Sequence, residues 1–95
     1  MCTIVGGMEF RWNDWNLGHI DKHGIGQFEV EYVVNRAKPP FPEERADEKY
    51  LVMGRTYDGR YIQVIYLLDP DGTAYIIHAR PLTESEKRRY RRRLK

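Results

Sequence analysis

The stretch KYLVMGRTYDGRYIQVIYLLDPDGTAYIIHAR, Lys49–Arg80, decides the fold class. Lys49–Thr56 and Tyr61–Leu68 are rich in β-branched and aromatic side chains, which suit a pleated surface. Between them, Tyr57-Asp58-Gly59-Arg60 carries the Asp-Gly pair of a hairpin turn. A second reversal, Asp69-Pro70-Asp71-Gly72, joins proline's fixed φ to glycine's freedom and leads into Ala74–Arg80. Together these segments predict three antiparallel strands in a meander.

On the carboxyl side, Pro81 closes the third strand. Thr83-Glu84-Ser85-Glu86 then has the capping-box pattern, with Thr83 as cap and Glu86 reaching back, of a helix that runs to about Leu94. On the amino side, Glu9–Trp12 alternates polar and apolar residues as a short strand does, and Asn13 is a good cap for a helix from Asp14 to about Lys22. Gly24 stops that helix, while Lys22 and His23 sit where its negative end favours cations. Phe28, Tyr32 or Val33, and Val34 recur near helical spacing and predict a second helix over Gln27–Arg36. Lys38–Glu48 mixes three prolines with charges and reads as a loop. The order is strand, helix, helix, three strands, helix: a single α+β domain in which helices cover an antiparallel sheet.

Composition is consistent with one packed core. At 95 residues, 41% hydrophobic and 13% aromatic, the chain has enough large apolar area for a small domain and too much for a disordered segment. No run reaches the length of a membrane span, and Met1–Gly7 lacks the charged start and long apolar stretch of a signal peptide, so the cytoplasm is the expected location. Cys2 is the only cysteine; it excludes an intrachain disulfide, and its position argues against an organised thiol nucleophile.

Charge is unevenly placed. Arg80–Lys95 holds eight of the sixteen Lys and Arg residues with only Glu84 and Glu86 against them, a local +6, while the preceding residues carry −4. Such a positive segment attracts a polyanion and gains affinity through counterion release, although many domains end in a solvated basic helix. Arg88 with Arg92 and Arg89 with Arg93 stand at i and i+4, where they repel unless an anion lies across them; Tyr90 and Leu94 offer the apolar stripe that docks the helix.

Period-two geometry puts Ile76, His78 and Arg80 on one face of the third meander strand. Cleavage of RNA by its own 2′-hydroxyl needs a base, an acid and cations at the phosphorus, and His78 with Arg80 are suitable in type, although a strand histidine also serves simply as a structural hydrogen-bonding group. Neighbouring strands can bring Arg55 and Tyr66 near His78, but Tyr66 is more simply a core or rim aromatic, and Arg55 can instead pair with an acid of the preceding loop. His19 and His23, one helical turn apart, match a zinc spacing but lack the glutamate of zinc proteases, so capping is the simpler role. No Gly-rich phosphate loop and no Ser-His-Asp order is recognisable, and neither a metal nor an organic cofactor is expected. Trp12 and Trp15 are most economically core residues, although an exposed one can stack on a base.

Phe10-Arg11-Trp12, Asn16, Lys22-His23-Gly24, Gly54-Arg55, Asp58-Gly59-Arg60, Val64-Ile65-Tyr66, Ile76-Ile77-His78-Ala79-Arg80 and Glu86-Lys87-Arg88-Arg89-Tyr90 together resemble the BrnT family of bacterial toxins. The similarity spans roughly Glu9–Tyr90. It departs at His78, where the family usually has serine, in the Pro-rich Lys38–Glu48, and at Trp12-Asn13-Asp14, which interrupts a Trp-Asp pair. The resemblance implies a RelE-like fold, a ribonuclease activity that blocks translation, and neutralisation by a BrnA antitoxin whose complex with the toxin binds operator DNA. It carries over Arg55 and Arg80 first, then Lys22, His23 and Arg88. The resulting expectation is a metal-independent mRNA-cleaving toxin of a type II toxin-antitoxin system. In it Arg80, Arg55, His78 and His23 do chemistry, while Lys22, Arg88, Arg89, Arg92 and Tyr66 hold RNA. The alternative is a non-catalytic BrnT-like module that binds RNA or an acidic protein.

Overall fold

The computed structural model describes residues 8–93. The expectations for Cys2 and for Leu94 lie outside them. Strand β1 (Phe10–Arg11) is followed by helices α1 (Asp14–Asp21) and α2 (Gln27–Asn35), strand β2 (Glu43–Arg45), a 3-10 turn at Ala46–Glu48, the meander strands β3 (Lys49–Arg55), β4 (Tyr61–Leu68) and β5 (Ala74–Pro81), and helix α3 (Glu84–Arg93). The meander forms as the sequence predicts, and Gly59 and Gly72 take φ of +91° and +88° in its two turns. It lies inside a five-stranded mixed sheet of order β1-β5-β4-β3-β2, so the fold is α+β. No helix among the described residues is long and apolar enough to cross a membrane.

Besides the parallel pairing of β1 with β5, which makes the sheet mixed where an antiparallel one is expected, two features depart from the sequence expectation. Lys38–Glu48 is not all loop: Glu43–Arg45 pairs antiparallel with Lys49–Leu51. An edge strand of two glutamates and an arginine has no buried face to mark it, and backbone pairing alone makes it a strand. The other departure is in β5, where the pairing with β4 slips between Ile65 and Tyr66, so that Ile76 faces Tyr66 while His78 faces Ile65 and Ala79 faces Val64. Beyond this bulge, Ala79 takes the buried side that simple alternation assigned to His78. His78 and Arg80 still share a side, but Ile76 is not on it.

The core face carries Val52, Ile62, Val64, Tyr66, Ala74, Ile76 and Ala79, all buried. α2 reaches it at Gly54, where an added Cβ would stand 2.9 Å from Val33 Cγ1; only a residue without a side chain permits that approach. The bidentate pair of Arg60 Nη2 with Glu29, at 2.5 and 2.6 Å, ties the first meander turn to the start of α2, and Glu29 also accepts the N–H of Gly26. On the opposite face, Tyr90 docks α3 through Tyr61 at 5.9 Å and Phe41 at 6.0 Å between ring centroids.

α1 is held by one fully buried side chain. Asn16 donates from Nδ2 to the carbonyls of Arg11 and Ile76, each at 3.0 Å, and its Oδ1 accepts the N–H of Asn13 at 2.8 Å. Asn13 returns the bond by capping Asn16 N at 3.0 Å, as its predicted role requires. One amide thus satisfies three backbone groups of β1, β5 and the α1 start. Exchange of Asn16 for Leu leaves those groups unpaired, and we expect a loss of about 3 kcal/mol, read as a lower midpoint in urea unfolding.

α3 is joined to β5 through Arg80. Its guanidinium donates to both oxygens of Glu86 at 2.8 and 2.7 Å, and Glu86 also accepts the N–H of Thr83 at 2.8 Å, completing the capping box. Chiefly because of the Arg80 bond, the Glu86 carboxyl titrates at about 2 rather than near 4.5. A depressed carboxylate contributes stability above its unfolded value, and that contribution drains away as pH falls toward the folded one. Glu86→Gln should therefore be less stable than the parent at pH 7, by about 1–2 kcal/mol. The gap should close between pH 4.5 and 2 in acid-titrated thermal melts.

Candidate functional site

The chemistry-bearing residues gather in two places, not one. The first is at the end of α1. Because α1 stops at Asp21 with Lys22 as its C-cap, His19 and His23 stand one turn apart beside β5, where the bulge presents His78. Ring centroids lie 5.7 Å apart for His19 and His78, 5.7 Å for His23 and His78, and 6.3 Å for His19 and His23. Burial first, and then the neighbouring His19, His23 and Arg80, push the His78 imidazole below its ordinary value. His23 is exposed and Lys22 lies beside it, also exposed.

The third histidine is steadied by its neighbours. Trp15 stacks on His19 at 5.1 Å and 7°, and on Tyr75 at 6.4 Å and 24°, while the Arg11 guanidinium lies 3.8 Å from the Tyr75 ring. Trp15, expected in the core, is instead 56% exposed, and these contacts run from Arg11 to the histidines. Trp12 is partly buried and donates from Nε1 to Glu31. A cluster of imidazoles from a helix end and a strand can both accept and donate a proton at one bound group. Among the described residues, no group of three or more His, Cys, Asp or Glu side chains is placed to hold a metal ion.

Other expected site residues fall elsewhere. Arg80 is committed to Glu86, so it is not an open guanidinium beside His78. Tyr66 is 3% exposed, stacked on Tyr50 at 5.5 Å in the core, and burial pushes its hydroxyl up; a base cannot reach its face in this arrangement. Arg89 is 4.0 Å from Glu86, while Arg88 and Arg92 are exposed on α3 without a carboxylate within 4 Å among the described residues. Arg93 pairs with Glu43.

Arg55 belongs to the second place. It is paired in register with Tyr61, four residues along and two strands across from His78, which puts the two about 16 Å apart by strand spacing and rise. β2 stops pairing at Leu51, so the outer edge of β3 is open from Val52 onward. Along it runs a groove of about 170 Å³ between α2 and α3, lined by Tyr32, Arg36, Lys38, Arg55 and Tyr90 among others. A wider hollow of about 540 Å³ shares Tyr32 and Arg55 and adds Tyr57. The Arg36 guanidinium lies 4.2 Å from the Tyr32 ring, and those of Arg55 and Arg91 lie 5.7 and 5.6 Å from Tyr61. Nothing in the spacing of the sequence linked Arg36, Lys38, Tyr32 and Tyr57 to Arg55; they belong to a helix end, a loop and a turn that only the tertiary fold juxtaposes.

The model of one family, described as a domain of unknown function, DUF4258, matches residues 18–80. No curated protein and no solved structure matches the chain. The matched segment begins just before His19 and ends at Arg80, and so takes in all three histidines, the groove residues up to Tyr61, and the whole meander except Pro81. On that match, over well above half its length, the chain belongs to the DUF4258 family.

Proposed function

We propose that this chain is an endoribonuclease with a RelE-like fold, the toxin of a type II toxin-antitoxin system, that cleaves mRNA without a metal and so inhibits translation. The observation that supports this best is the approach of His23 and His78 to within 5.7 Å on an accessible surface. In the step proposed, His78, favoured in its neutral form, takes the proton of a ribose 2′-hydroxyl. The freed oxygen attacks the adjacent phosphorus, the bond to the 5′-oxygen breaks, and His23 in its protonated form gives that oxygen its proton. A 2′,3′-cyclic phosphate and a 5′-hydroxyl result. Lys22, Arg88 and Arg92 supply positive charge to the backbone, while Arg80 acts on α3 through Glu86 and not on phosphorus. The partner proposed is a BrnA-like antitoxin, and operator DNA is reached only through that complex.

A second reading has its own support: the Arg80–Glu86 lock removes the guanidinium that a phosphoryl-transfer site would be expected to present, which suits a non-catalytic module binding RNA or an acidic protein.

Purified protein incubated with single-stranded RNA in EDTA separates the two. We expect cleavage that His78→Ala lowers by about 100-fold or more without changing the circular dichroism spectrum. RNA left intact by the parent protein rejects the catalytic reading. The sign of the His78 shift also fixes a pH profile: the base is lost only as pH falls below about 6.5, so the acidic limb of the single-turnover rate should lie below that point. A limb at 7 or above would contradict the assignment of His78 as base.

A further inference from the structure

We propose that the groove at the open edge of β3 is a second nucleotide site, holding a phosphodiester of single-stranded RNA between Arg36, Lys38 and Arg55 with a neighbouring base against Tyr57. It takes the ligand class from the reading above but does not depend on catalysis.

Charge in the groove is unbalanced. Arg36, Lys38 and Arg55 converge on a small volume, Arg91 approaches from α3, and among the described residues none of the four has a carboxylate within 4 Å. The structure supplies carboxylates elsewhere: Arg11 has Asp69, Arg60 has Glu29, Arg80 has Glu86 and Arg93 has Glu43. Asp58 borders the wider hollow, but Thr56 donates to it and Arg60 faces it at 3.7 Å. The negative end of α2, capped by Arg36, offsets only part of the excess. Like charges held this close repel, and an anion between them removes the repulsion.

The aromatic rings decide which anion. Tyr57 is 60% exposed and meets Tyr32 edge-on at 5.5 Å, which holds its ring while leaving much of it open. Guanidiniums alternating with an accessible ring suit a backbone phosphate with a stacked base, a pairing typical of sequence-tolerant single-strand binding. An acidic peptide would use the cations and leave the ring idle. With the histidines about 16 Å away, an oligonucleotide must span several nucleotides to occupy both places.

The test uses a 2′-O-methyl oligoribonucleotide, which lacks the attacking hydroxyl and so reports binding alone, with a poly-glutamate peptide of equal charge as the competing probe. Arg55→Gln should weaken RNA binding about 5- to 10-fold and reduce the slope of log Kd against log salt by about 0.7. Tyr57→Ala should weaken it by about 10-fold. Both residues are exposed, and circular dichroism confirms that the variants fold. Unchanged binding in Arg55→Gln and Tyr57→Ala overturns the site, and so does a poly-glutamate affinity that exceeds that for RNA and is lost in Arg55→Gln. Arg55-dependent binding of the methylated strand together with uncleaved natural RNA would keep this site and discard the nuclease; cleavage with Arg55-independent binding would do the reverse.

Discussion

The buried amide of Asn16 is the constraint on which the arrangement of α1 depends. A two-residue strand such as β1 has little pairing of its own, and beyond it β5 presents carbonyls that no strand takes up. Asn16 answers both by donating to Arg11 and Ile76 while closing the cap with Asn13. An amide is suited to this because it carries donors and an acceptor on one short stem, whereas a carboxylate would set negative charge against two carbonyls. With that point fixed, the rest of α1 runs beside the bulge of β5. His19 and His23 then come to His78.

A second organising influence is the distribution of carboxylates. The basic tail does not stand free as a single positive arm: Glu86 and Glu43 hold Arg80 and Arg93, and so secure both ends of α3 to the sheet and to β2. Exposed pairs of this kind add little individually, but the Arg80 pair is partly buried, bidentate and shared with a helix cap, which makes it the firmest of them. Of the arginines without a carboxylate partner among the described residues, Arg36 and Arg55 line the groove at β3 while Arg88 and Arg92 are exposed on α3. One function is thereby divided between holding the fold and presenting charge.

This division reshapes the chemistry expected of the family resemblance. Arg55 and Arg80 were its firmest residues, yet the first faces a groove remote from the histidines and the second is bound to glutamate. In the reaction we propose, proton transfer falls instead to a helix end and a strand bulge, with a stack from Arg11 to Trp15 steadying one of the three imidazoles.

The meander, its two Asp-Gly and Pro-Gly turns, the Asn13 and Thr83 caps and the helical spans were all legible in the chain, because each is set by neighbours within a few residues: turn chemistry, capping side chains and local periodicity. The third side chain beside His19 and His23, the pairing of Glu43–Arg45, and the capture of Arg80 were decided only by tertiary structure. Each depends on which distant backbone or carboxylate arrives alongside, and a one-residue bulge in β5 was enough to reverse a face that alternation alone had assigned. Sequence determined the meander, the helices and where charge resides; the fold determined which charges are neutralised and which remain to meet a ligand, since Coulomb and hydrogen-bond partners are chosen by distance in space and not along the chain.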